Sequence, residues 1–147
     1  SVTAVTPGAK ASDSLKETSM AIAQLFGSAF LLPEDQIAAF TGISGSAIAY
    51  VFQFLHAIAM GGVSEGIPYP QALAIARDTC LSAVALQKQE DANPIALATK
   101  VCSAGGTTIE GMRSLAEGNF DATVMAAVSA SSDKFRLLEK MAGQNRQ

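Results

Sequence analysis

The chain is poor in the side chains from which catalytic and metal sites are usually built. Its 147 residues include one histidine, His56, and two cysteines, Cys80 and Cys102. Without a C-x-x-C pair or a second histidine, no metal site is expected. No cysteine or carboxylate stands at helical spacing from His56, so a nucleophilic relay is not supported either. The cysteines lie in apolar helical contexts and suggest no disulfide framework at this chain length, which favours a reducing cytoplasm. Positive charge is also scarce. Ten Lys and Arg against thirteen Asp and Glu leave a net charge of −3 and a pI near 5.0. With no basic cluster anywhere, nucleic acid is not an expected partner. A G-x-G-x-x-G turn is missing, so a dinucleotide cannot be held by that device within this sequence. No basic segment followed by an apolar run opens the chain as given, and no secretory leader is expected.

Charge of either sign is absent from Gln36 through Ser64. That length could span a bilayer. Against this, Thr41, Gly42, Ser44, Gly45, Ser46, Gln53 and His56 interrupt it, and its flanks are the acidic Glu34, Asp35 and Glu65 with no Lys or Arg as anchors. The preferred reading is a helix buried on nearly every side, which in a chain this small requires a second copy to cover part of it. A homodimer is therefore expected, and a membrane span is not.

What is present is ample core material, with 49% hydrophobic residues. Val2 to Val5 is a β-branched run ended by Thr6-Pro7-Gly8. A helical pattern follows from about Ser14 to Phe26, with Asp13 or Ser12 as N-cap and Gly27 as its stop. Ala29 to Leu32 reads as a second strand stopped by Pro33. Two short strands and one crossover helix do not make a stable sheet alone, so this end is expected to belong to something larger. From Pro33 onward the pattern is all-α. Helices are expected at about 34–41, 44–60, 70–90, 94–102, 107–117 and 120–141. Their breaks are placed at Gly42, Gly61-Gly62, Gly66 with Pro68 and Pro70, Asn93-Pro94, Gly105-Gly106 and Gly118.

Three features could carry chemistry. Ser103-Ala104-Gly105-Gly106-Thr107-Thr108-Ile109-Glu110-Gly111 combines a sharp turn with the start of a helix, whose free N–H groups favour an anion. Main-chain donors there could hold a small carboxylate while a threonine hydroxyl meets a neighbouring nitrogen. The plainer alternative is an interhelix turn with a threonine N-cap. Thr41 to Tyr50 begins the charge-free helix with small polar residues that could border a ligand, or Ser44 could simply cap that helix. His56 could be a ligand, but a hydrogen-bonded packing role is the commoner one. Glu90 and Asp91 read as a solvated helix end, one of them within possible reach of the Gly-Gly turn.

These same segments resemble the pyrroline-5-carboxylate reductase family. Ser44-Gly45-Ser46-Ala47-Ile48-Ala49-Tyr50 matches the family's Ser-Gly-Ser-Gly-Pro-Ala-Tyr in five of seven places. Val51-Phe52, Ala57, Gly61-Gly62-Val63 and Gly66-Ile67-Pro68 continue the match. Ser103-Ala104-Gly105-Gly106-Thr107-Thr108-Ile109 parallels the signature Ser-Pro-Gly-Gly-Thr-Thr-Ile, and Gly111, Leu115, Glu117-Gly118, Phe120 and Ala126 to Val128 keep the register. Val2 to Pro7 is similar to the segment ending Met-Pro-Asn-Thr-Pro near the end of the family's Rossmann domain. The departures are Ala47 and Ile48 for Gly and Pro, Ala104 for Pro, His56 where Glu is usual, and no Asn near Thr6-Pro7.

The resemblance implies an all-α, helical dimerisation domain of the 6-phosphogluconate dehydrogenase C-terminal-like type, preceded by a β-α-β remnant of a Rossmann domain. Residues 1–32 would be that remnant and 33–147 the dimerisation and substrate-binding domain. It implies an oxidoreductase that makes L-proline from 1-pyrroline-5-carboxylate with NADP or NAD as cofactor, working as a homodimer or a larger assembly of dimers. Ser103, Gly105, Gly106 and Thr107 would bind the substrate carboxylate, and Thr108, the catalytic candidate, would hydrogen-bond the ring nitrogen. The chain by itself would bind cofactor poorly and be inactive. The competing expectation is a divergent, non-catalytic dimerisation module of the same fold.

Overall fold

The computed structural model describes residues 1–144. At the N-terminus, β1 (Val2–Val5) and β2 (Ser28–Leu31) pair in parallel, with Val2 opposite Ser28 and Val5 opposite Leu31. The crossover between them is α1 (Asp13–Gln24), which packs on both strands. Ser12 is its N-cap: the Leu15 N–H donates to the Ser12 Oγ at 3.2 Å. The strand, helix and strand expected from sequence are therefore present, joined as a β-α-β unit.

A helical stretch of 31 residues runs from Glu34 to Ser64. It opens with a 3₁₀ turn at Glu34–Gln36 and continues as α2 (Ile37–Phe40), a π-helical turn at Thr41–Ser46, and α3 (Ala47–Ser64). This corrects two expected breaks and one cap. Gly42 does not end a helix. It is buried where the chain from Val124 onward crosses closely, and a Cβ there would lie 2.7 Å from the Ser132 Oγ and 2.9 Å from the Val128 carbonyl. The glycine serves close approach, and the backbone passes through a widened turn instead of stopping. Ser44 consequently lies inside the helical run and caps nothing. Gly61 and Gly62 also remain helical. The true stop is four residues later, where Gly66 takes φ +95° and the Ile67 N–H reaches back to the Gly62 carbonyl at 3.0 Å.

The remaining helices are α4 (Tyr69–Glu90), α5 (Pro94–Val101), α6 (Thr107–Glu117) and α7 (Phe120–Gln144). Prolines sit in the first turns of α4 and α5, where a missing N–H costs nothing. Two compact units result: Ser1–Ile48 together with the chain from Val124 onward, and Ala49–Thr123. In the first, the Ser46 and Ser131 hydroxyls meet at 2.5 Å. In the second, Gly62 faces Ala72, and the Phe54 and Phe120 rings lie 5.9 Å apart.

Among the described residues, the buried side chains are small: Ala23, Ala38, Ala59, Ala72, Ala76 and Ser132. Larger apolar groups such as Ile37, Phe40, Leu55 and Leu73 are half-buried, and many others are exposed. The helix expected to be buried on nearly every side has Ala59 as the buried residue of α3, while Phe52 is 66% exposed. None of the described residues covers that face, which is why the expectation of burial fails for a single copy. By length and composition the Glu34–Ser64 helix could cross a membrane, a test that core helices of soluble proteins also pass.

Candidate substrate-binding site

The structure brings Ser103, Gly105, Gly106, Thr107 and Thr108 into one turn at the mouth of α6. α5, capped by Asn93 through a 2.9 Å bond from the Ile95 N–H, ends at Cys102, whose extended ψ of 96° turns the chain away. The Gly106 N–H then donates to the Ser103 carbonyl at 3.0 Å, closing a four-residue turn with Gly105 at φ +67°. A positive φ at the third position is the mark of a type II turn and calls for glycine there. Ala104 occupies the second position, where proline is favoured.

Gly106 is the N-cap of α6, extended at φ −80° and ψ 169°, and contributes no side-chain cap. The threonine N-cap anticipated as the plainer reading is thus replaced by glycine, and Thr107 is the first helical residue. The first-turn N–H groups of α6 are left open to an outside acceptor at the positive end of the helix. The Ser103 hydroxyl lies directly over Gly106, close enough that any Cβ at 106 would collide with it. Thr107 and Thr108 are exposed beside this mouth. An opposing charge nearby is already neutralised: Glu110, in the first turn, is paired with Arg113. Glu90 is engaged by Lys100 at 2.8 Å, so it fastens the end of α4 to α5. Asp91, in the left-handed region at φ 45°, terminates α4.

The second candidate segment is not brought to this turn. Ser46 is paired with Ser131, and Gly42 is filled by Ser132 and Val128, so its small polar residues hold a helix contact. His56 is exposed, and its Nδ1 lies 3.0 Å from the Tyr69 hydroxyl on α4. Sequence reasoning foresaw a partnered histidine but not the partner. The two residues are thirteen apart across a turn, a spacing that signals nothing by itself. Among the described residues, no group of three or more His, Cys, Asp or Glu could hold a metal ion.

Taken together, the fold is that of a helical dimerisation domain following a short end of a Rossmann-type unit. The chain belongs to the pyrroline-5-carboxylate reductase family: the family's dimerisation domain, described as "Pyrroline-5-carboxylate reductase dimerisation", matches residues 34–138. Pyrroline-5-carboxylate reductase of Aquifex aeolicus is 43% identical over 112 residues, covering 76% of this chain and 42% of its own. That of Escherichia coli is 36% identical over 139 residues, covering 95% and 52%. Among solved structures, the Streptococcus pyogenes 1-pyrroline-5-carboxylate reductase superposes with a TM-score of 0.83 at 35% identity, over 89% of this chain and 51% of that one. The Plasmodium falciparum pyrroline carboxylate reductase with NADP bound gives 0.79 at 28% identity, over 86% and 48%. The chain thus spans about half the length of the relatives it matches.

Proposed function

We propose that this chain is the dimerisation and substrate-side portion of a pyrroline-5-carboxylate reductase, an enzyme reducing 1-pyrroline-5-carboxylate to L-proline with NADPH or NADH. The observation that carries the reading is the uncapped mouth of α6, where an anion-binding helix end and two threonine hydroxyls occur in the order of the family signature. The substrate is a small carboxylate with a nitrogen one carbon away. Its carboxylate is assigned to the Ser103 hydroxyl and the main-chain donors at Gly105 and Thr107, beside Gly106, whose own N–H closes the turn and whose missing side chain leaves room for the anion. The Thr108 hydroxyl, one residue further along the helix, is assigned to the ring nitrogen.

The reaction needs a hydride, which the nicotinamide cofactor supplies. The residues of this chain do not fit that cofactor's phosphates. The loop from β1 to α1 contains a single glycine, Gly8, whose carbonyl accepts the Ala11 N–H at 2.9 Å in a closed turn of its own. A phosphate cradle needs several glycines at the helix mouth. Residues 1–32 are accordingly assigned to the end of a nucleotide-binding domain, 33–147 to the helical domain, and NADP or NAD to the complete enzyme. What the helical residues contribute is orientation of the imine and charge complementarity for its carboxylate. Two copies associate through the charge-free helix.

The test is Thr108→Ala in the complete reductase. If the hydroxyl meets the ring nitrogen as hydride arrives, kcat/KM falls by roughly ten- to a thousandfold, with little change in melting temperature. Thr107→Ala does less, because its contact is assigned to the backbone N–H, which alanine retains. If both variants keep near-normal kcat/KM, the helix-mouth assignment is wrong.

A further inference from the structure

We propose that Arg113 is a positioning residue for the mouth of α6: by holding the Glu110 carboxylate, it keeps a competing anion away from the place assigned to the substrate's own carboxylate. The proposal rests on the function proposed above and adds what sets the charge of that site. From Val101 through Ile109 the chain carries no Asp, Glu, Lys or Arg, so Glu110 is the first charge after the turn. It stands three residues after Thr107 and four after Gly106, which puts it on the side of α6 that they occupy. Helical side chains lean toward the N-terminus of their own helix, so a glutamate here leans toward the mouth. The positive end of α6 attracts its carboxylate as it attracts any other anion.

In the structure that carboxylate is already taken. The Arg113 guanidinium, one turn further along the helix, donates to the Glu110 Oε2. Both side chains are more than half exposed, so the pair contributes little to stability. Its effect is local. A glutamate without its arginine would offer its own anion to the open N–H groups of the first turn, and the substrate would have to displace it. The other cation close to the turn, Lys100, is engaged by Glu90 at 2.8 Å, so the task of holding Glu110 falls to Arg113.

Steady-state kinetics of the complete reductase at low salt test this, with KM and kcat read separately. Arg113→Gln, which removes the charge, is expected to raise KM for 1-pyrroline-5-carboxylate about three- to tenfold, with kcat and melting temperature little changed. High salt should narrow that gap, because screening weakens exposed charges. Arg113→Lys, which keeps the charge, is expected to stay close to the wild type. Arg113→Gln combined with Glu110→Gln should restore the wild-type KM, since no carboxylate is left to hold. An Arg113→Gln enzyme with wild-type KM overturns the proposal. So does a double variant whose KM stays as high as that of Arg113→Gln, which would mean that Arg113 meets the substrate itself. Thr108→Ala separates this proposal from the reading beneath it. If Thr108→Ala lowers kcat/KM while Arg113→Gln leaves KM unchanged, only the role of Arg113 fails; if neither has an effect, the helix-mouth assignment fails as well.

Discussion

A methyl group on Gly106 would run into the Ser103 hydroxyl, so two residues that share a turn also limit each other's size. Gly106→Ala is expected to push Ser103 aside and open the mouth of α6. Steady-state kinetics of the complete reductase should show kcat/KM reduced by up to about a hundredfold, the scale for misplacing a site by an ångström or so. Ala104 has the opposite prospect. It stands at the second position of a type II turn whose hydrogen bond runs from Gly106 to Ser103, so its own N–H is not needed to close it. Ala104→Pro is expected to stabilise the protein by about 0.4–1 kcal/mol through a less free unfolded chain, measurable by urea denaturation. The shape of this turn is legible in the sequence because its third position takes a positive φ that calls for glycine, which Gly105 supplies. The His56–Tyr69 bond is not, since it depends on how α4 leaves the turn after Gly66.

Among the elements, the helical run through Thr41–Ser46 shows what periodicity conceals. Glycine was read as a stop at Gly42, yet the residue marks a crossing of two backbones. Nothing local distinguishes these roles, because the neighbour that decides between them is some ninety residues away in the chain, at Ser132. The other stops were legible because they are chemical: Asn93 caps α5 with its own side chain, and Gly66 supplies a backbone angle that other residues resist. Gly42→Ala is expected to destabilise by about 1–3 kcal/mol, as overpacking does in a tight contact. Adding Ser132→Ala should recover only part of the loss in thermal or urea unfolding, because the Val128 carbonyl remains in the way.

For the whole molecule, one expectation follows from the exposed side of α3 and one from the loop after β1. Phe52→Asp places a charge on that side of α3 and is expected to convert a dimer to a monomer in light scattering at micromolar concentration. Wild-type chain should show no saturable NADPH binding at micromolar cofactor by fluorescence titration, since the loop from β1 to α1 lacks the phosphate-binding glycines. The small size of the buried residues has one more consequence. Among the described residues the fully buried side chains are alanines and a serine, and many large apolar groups, Phe52 among them, lie where another molecule could shield them from water. The chain's resistance to unfolding then becomes a property of the solution as much as of the sequence. For a folded dimer in equilibrium with unfolded monomers, each tenfold dilution removes about 1.4 kcal/mol per mole of dimer by mass action, and the melting temperature falls with it.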